Sequence, residues 1–314
     1  MWFADMGSAI AVVHDINGDG FDDVAIADGW TAWLYLGGPS GIHAMPDGSD
    51  PTPADPYAAG VPLVEDLGSV GDVNGDGYAD VFTAQDNAGA DDSLTGVGEL
   101  YWGRNWESPT TPPASIPAPR QIAGLSAYFG GSSTSIGDFD RDGNADFAVF
   151  GGGYVFLYRG SNAAVFTPIQ VIDGRSMSSF AHGAETAFGS TLGTPGDSDG
   201  NGLVDLLVGS SEISTAYWYP GQPDSPPTVL GHTWLSPPHD TFFLAMFGGS
   251  LTSIGDVNGD GFDDIAIGSG YLGEVEVFHG GPMGPVSVSA VLVDSHPRID
   301  RGGDDSTFFG TCLQ

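Results

Sequence analysis

The sequence predicts an all-β fold, a β-propeller of four-stranded blades, on three observations. A nine-residue stretch rich in Asp, Asn and Gly occurs five times, each copy runs into a short apolar strand, and the copies return about every sixty residues. The copies are D-I-N-G-D-G-F-D-D from Asp15 to Asp23, D-V-N-G-D-G-Y-A-D from Asp72 to Asp80 and D-F-D-R-D-G-N-A-D from Asp138 to Asp146, then D-S-D-G-N-G-L-V-D from Asp197 to Asp205 and D-V-N-G-D-G-F-D-D from Asp256 to Asp264. They are loops 1 to 5 below.

Positions 1, 3, 5 and 9 always carry an oxygen-bearing side chain, and position 6 is always Gly. Ca²⁺ is a hard cation that takes six to eight oxygens, which alternate side chains of a tight turn supply together with a main-chain carbonyl at position 7. The expected ligands are Asp15, Asn17, Asp19, Phe21 and Asp23 in loop 1, and Asp72, Asn74, Asp76, Tyr78 and Asp80 in loop 2. Loop 3 offers Asp138, Asp140, Asp142, Asn144 and Asp146, loop 4 Asp197, Asp199, Asn201, Leu203 and Asp205, and loop 5 Asp256, Asn258, Asp260, Phe262 and Asp264. Up to five Ca²⁺ are expected, one per loop. Asp22 and Asp263, at position 8, are expected to face solvent or to stand behind the ligands.

An EF-hand is excluded because it needs Glu at position 12, where this chain has Ile26, Thr83, Val149, Val208 and Ile267. A metal-free Asn-Gly or Asp-Gly hairpin turn is the competing reading of any single copy. Fivefold retention of the oxygen positions favours the cage.

The strands follow in order. Nine residues before each loop stand Met6-Gly7, Leu63-Val64, Phe129-Gly130, Phe188-Gly189 and Phe247-Gly248, with a further start at Phe309-Gly310. After each loop comes a short apolar run, rich in β-branched residues across the five copies and in loop 3 Phe147-Ala148-Val149, the second strand of a hairpin. A third strand ends in an aromatic two residues before Gly, at Tyr35, Tyr101, Tyr158, Tyr219 and Phe278. The aromatic is expected to pack inward and its neighbour, such as Trp102 or Arg159, to face out. Fourth strands are read at 168–172, 228–230 and 286–292, and weakly at 121–122, while the Pro-rich run 108–119 reads as an extended outer loop. The expected blades are 1–62, 63–128, 129–187, 188–246 and 247–308 of a single domain over 1–314, with 309–314 an extra strand or the start of another blade.

Phe-Gly followed by small residues, the Asp loop, and a third strand such as G-E-V-E-V-F-H-G-G from Gly273 together resemble the FG-GAP repeat of integrin α-subunit β-propellers and their bacterial relatives. The resemblance spans the chain. It implies calcium in the hairpin loops on one rim and partners bound on the opposite face. Leu63-Val64 departs from it, as does a count of five blades and a stub against seven in integrins.

Composition narrows the function. The formal net charge is −34, and all seven basic residues are Arg. Nucleic acid and anionic membrane are therefore not expected partners, and no stretch is long enough for membrane insertion. Loop sites of modest affinity fill at extracellular calcium levels, so the expected location is outside the cell or on its surface, with the export signal outside this chain. The scattered His residues and the lone Cys312 form no catalytic constellation, so no enzyme is expected. The leading expectation is a binding or adhesion scaffold with a protein or glycan ligand on the face opposite the calcium rim. The ring is expected to be completed by self-association or by further chain. The alternative is a lectin-like carbohydrate-binding module, alone or as an accessory domain of a secreted enzyme, with His232, Trp234 and His239 as candidate ligand-binding residues.

Overall fold

The computed structural model describes residues 9–27, 32–42, 66–85, 97–104, 114–117, 129–163, 165–174, 188–194, 196–223, 233–235, 246–270, 272–285 and 288–293. The chain divides into two compact units, Met1–Val171 and Ile172–Gln314.

In the first unit, β1 (Ala9–His14), β2 (Asp23–Ala27) and β3 (Ala32–Tyr35) form a three-stranded sheet. β4 (Asp66–Gly71), β5 (Asp80–Gln85), β6 (Val97–Tyr101) and β7 (Ala114–Pro117) form a second sheet, and β8 (Ser133–Gly137), β9 (Asp146–Gly151), β10 (Tyr154–Tyr158) and β11 (Gln170–Asp173) a third, whose last strand contains the division between units. In the second unit the sheets are β12 (Thr191–Gly193), β13 (Leu206–Ser210), β14 (Thr215–Tyr219) and β15 (Thr233–Leu235), then β16 (Phe247–Gly255), β17 (Asp264–Ser269), β18 (Glu274–Phe278) and β19 (Val288–Val293). Each sheet is an antiparallel meander in chain order, the arrangement of a propeller blade. The loops join the first and second strands, as the hairpin reading requires.

Burial explains the apolar runs. Every residue of β9, β10, β13, β14 and β17 is buried, because these middle strands are covered on both faces. In the first unit Phe82 and Leu100 pack with Phe129, Phe147, Phe156 and Tyr158 of the next sheet. In the second, Leu207, Trp218 and Leu235 pack with Phe247, Ile265 and Phe278. Phe129, Phe188 and Phe247 are all buried. Gly130 takes φ +94° and donates its N–H to Phe150 O at 2.7 Å, and Gly189 repeats the bond to Gly209 O at 2.8 Å. Phe-Gly is thus a buried ring followed by a left-handed turn that seals the start of a blade onto its second strand. The starts at Met6, Leu63 and Phe309, and the stub 309–314, lie outside the described residues.

Two strand readings are corrected. The Pro-rich run is not wholly loop: Ala114–Pro117 is the outer strand of its blade, with Pro117 opposite Val97, a position where a missing N–H costs no ladder bond. The outer strand of the fourth sheet is Thr233–Leu235, and both 228–230 and 121–122 lie outside the described residues.

The inward reading of the third-strand aromatic holds for Tyr158, Tyr219 and Phe278, all buried, whereas Tyr35 and Tyr101 are half-buried. Tyr158 stacks on Phe147 with centroids 5.0 Å apart and planes 11° apart, yet its hydroxyl is buried with no hydrogen-bond partner among the described residues. Tyr158→Ala is therefore expected to cost roughly 2–4 kcal/mol. Tyr158→Phe should be neutral or stabilising by up to about 1 kcal/mol, since it removes only a polar atom that folding leaves unpaired. Urea denaturation distinguishes the two, and a large loss for the Phe variant would mean that the hydroxyl has a partner.

Candidate metal centre

Each loop is wound around the carboxylate at its first position. In loop 1, Asp15 Oδ1 accepts the N–H of Gly18 at 2.7 Å and of Asp19 at 2.9 Å, and Oδ2 accepts that of Gly20 at 2.8 Å. Asn17 Oδ1 then takes the Asp19 N–H at 2.9 Å and Asp19 Oδ1 the Phe21 N–H at 3.0 Å. Loop 5 repeats all five bonds at 2.7–3.1 Å. Donors from Gly261, Gly259 and Asp260 hold the Asp256 carboxyl below the usual range. The glycine at position 6 has φ between +85° and +94° in all five loops, while a methyl added there would touch nothing within 4 Å. Conformation, not space, selects it.

In loop 3 the Asp142 N–H is shared between Asp138 Oδ1 and Asp140 Oδ1, at 3.0 and 3.2 Å, which brings positions 1 and 3 together. In loop 3, carboxylate oxygens of Asp138, Asp140 and Asp146 lie within 4.8 Å of one another, the group of this kind found among the described residues. Such a set of hard, anionic oxygens fits Ca²⁺. Arg159, expected to be a surface bystander, is half-exposed but forms an ion pair through Nε with Asp140 Oδ2 of this loop. The residue after the third-strand aromatic therefore reaches the loop.

Position 9 does more than the sequence showed. Asp23, Asp80, Asp146, Asp205 and Asp264 are all completely buried. One oxygen of each accepts the N–H of position 2, as Phe139 to Asp146 Oδ2 at 3.0 Å, and the other accepts the N–H of the glycine after the third strand. Those second bonds run from Gly37, Gly103, Gly160, Gly221 and Gly280 at 2.7–2.8 Å. A methyl on Gly160 would stand 2.3 Å from Ala145 O, and one on Gly103 2.2 Å from Ala79 O, so here space selects glycine. Position 9 bolts the loop to the third strand.

Burial, outweighing these hydrogen bonds and helped by repulsion from loop neighbours, pushes the Asp80 carboxyl up to about 8, Asp146 to about 7 and Asp205 to about 6. A folded-state value raised above the unfolded one contributes stability that is fully present below the unfolded value and is lost as pH rises through the folded one. In excess chelator the chain is thus expected to melt higher at pH 5 than at pH 8.5, and Asp80→Asn should flatten the profile. Melting temperatures that rise with pH would show that these carboxyls stay ionised.

Successive loops within a unit touch. Ala79 N–H donates to Asp15 O at 3.2 Å, Ala145 N–H to Asp72 O at 2.7 Å and Asp263 N–H to Asp197 O at 3.3 Å. Asp263 Oδ2 also accepts the Asp197 N–H at 2.9 Å, so this position-8 carboxylate ties two loops rather than facing solvent alone. Asp22 does face solvent, 3.6 Å from an exposed His14. Tyr78 at position 7 lays its ring over Gly18 of the preceding loop, and Phe262 does so over Gly200.

Against these loops, the FG-GAP repeat model matches residues 6–37 and 247–288, and the FG-GAP-like repeat model residues 72–149. Over those residues the chain carries FG-GAP repeats. It is similar to integrin α chains: 32% identical over 199 residues to integrin alpha-PS2 of Drosophila melanogaster, covering 57% of this chain and 13% of that one. It is 34% identical over 168 residues to human integrin alpha-IIb, covering 49% and 15%. The match thus spans a small part of those relatives. Among solved structures, BBS1N in complex with ARL6DN, soaked with mercury, aligns over 93% of this chain and 70% of that one with TM-score 0.51 and 13% identity, a likeness of fold.

Of the residues proposed for a ligand face, Trp234 lies on the outer strand β15, paired with Tyr217, rather than in a loop. His232 and His239 lie outside the described residues, as do most of the segments at the ends of the blades opposite the FG-GAP loops. No helix among the described residues is long and apolar enough to cross a membrane.

Proposed function

We propose that this chain is a calcium-stabilised, non-enzymatic scaffold of FG-GAP blades that works outside the cell or at its surface and binds a protein partner. One observation carries the reading: loops wound around a first-position carboxylate recur in a chain similar to integrin α chains, and in loop 3 the carboxylates of positions 1, 3 and 9 come together. The partner surface is the end of the blades opposite the loops, because the loop end is occupied by its own lacing of carboxylates and main-chain N–H groups. Calcium here is structural. It would be held by positions 1, 3, 5, 7 and 9, and would neutralise carboxylates that crowd one another.

The test pairs calorimetric titration of the chelated chain with Ca²⁺ and a glycan array at millimolar Ca²⁺. Saturable calcium binding with a blank array is the expected result. Absence of calcium binding at millimolar concentration would overturn the scaffold as stated, and saturable sugar binding would favour a carbohydrate-binding module.

A further inference from the structure

Loop 4 departs from the other four in chemistry. Position 2 is apolar in loops 1, 2, 3 and 5 (Ile16, Val73, Phe139 and Val257), but in loop 4 it is Ser198, completely buried. Ser198 Oγ donates a short hydrogen bond to Asp205 Oδ2, which also accepts the Ser198 N–H at 2.9 Å and the indole Nε1–H of Trp218 at 3.1 Å. Trp218 Nε1 in turn lies 2.8 Å from Ser198 Oγ. Asp205 Oδ1 accepts Gly221 N–H at 2.8 Å. Four donors therefore serve one carboxylate, where each position-9 Asp of the other loops has two main-chain donors. Three of the four converge on the single oxygen Oδ2, using up the lone pairs a cation would need.

A second difference points the same way. Position 5 is Asp in loops 1, 2, 3 and 5 (Asp19, Asp76, Asp142 and Asp260), but in loop 4 it is the neutral Asn201, whose amide is turned to Gly221 O at 3.0 Å. Loop 4 reads as a calcium loop in sequence, but the acceptor sites of its position-9 carboxylate are taken up by donors from within.

We propose that loop 4 is a metal-independent copy, closed by Ser198 and Trp218, and that calcium occupies the other four loops only. This rests on the calcium reading above and narrows it. Ser198 and Trp218 act as positioning residues: they hold Asp205, and through Gly221 the third strand, where a cation would otherwise be required.

Native mass spectrometry of the full chain at saturating Ca²⁺ counts the ions. Four are expected in the wild type, four in Asp197→Asn and three in Asp138→Asn. The double substitution Ser198→Val with Trp218→Phe, which gives loop 4 the apolar position 2 of loops 2 and 5, is expected to gain a fifth ion. Five ions in the wild type, or loss of one on Asp197→Asn, would overturn the proposal while leaving the calcium reading intact. No ions in any variant would overturn both. Should the double variant not fold, the comparison of Asp197→Asn with Asp138→Asn decides alone.

Discussion

Excess chelator is expected to lower the melting temperature by roughly 5–10 °C for each loop emptied. A ligand bound only by the folded state adds about 2.7 kcal/mol at ~100-fold excess over Kd, and about 1 kcal/mol moves the midpoint of a domain this large by roughly 2–4 °C. Several loops together rival the ~5–15 kcal/mol that holds an ordinary domain folded. The contributions will not add simply, since Ala79 N–H reaches from loop 2 to Asp15 O of loop 1 and Ala145 N–H from loop 3 to Asp72 O of loop 2. Ca²⁺ should restore the melting temperature and Mg²⁺ should restore it poorly, because Mg²⁺ demands a near-octahedral shell at shorter distances. Differential scanning fluorimetry reads this directly. Equal melting temperatures with chelator and with calcium would mean that the loops are held by their hydrogen bonds alone.

The blade plan was legible because it rests on local, repeated chemistry. Glycine at position 6 and the short apolar run after each loop each announce one structural need, and both were met in the described sheets. The outer strands were harder to read. Most are only three or four residues long, and one of them, Ala114–Pro117, is bounded by prolines that ordinarily mark loops. The role of position 9 was hidden for a different reason. Its partner glycine lies 14 residues on in loops 1 and 3, 23 in loop 2 and 16 in loops 4 and 5, because the hairpin between second and third strands varies in length. Aspartate and glycine therefore appeared as two separate periodic features. Only the fold shows that they are one bond. Arg159 was read outward from strand alternation, which is right for its Cβ but says nothing about how far a long side chain returns to the loop.

The bolt at position 9 is expected to matter with or without metal, and this separates it from the ligands beside it. Asp146→Ala removes a buried acceptor and leaves the Phe139 and Gly160 N–H groups without partners inside the blade. At about 1–3 kcal/mol for each buried group left unsatisfied, the loss should be roughly 3–5 kcal/mol by urea denaturation in excess chelator. Gly160→Ala should cost about 2–3 kcal/mol under the same conditions, since its methyl would meet Ala145 O at 2.3 Å and Val73 O at 2.8 Å, both main-chain atoms that cannot swing away. Asp142→Ala should behave differently. Its side chain is exposed at position 5, so in chelator the change should stay within about 0.5 kcal/mol, whereas in calcium it should forfeit the stabilisation of one loop. A wild-type midpoint for Asp146→Ala in chelator would show that the carboxylate matters only as a metal ligand, and the bolt would then be an incidental contact.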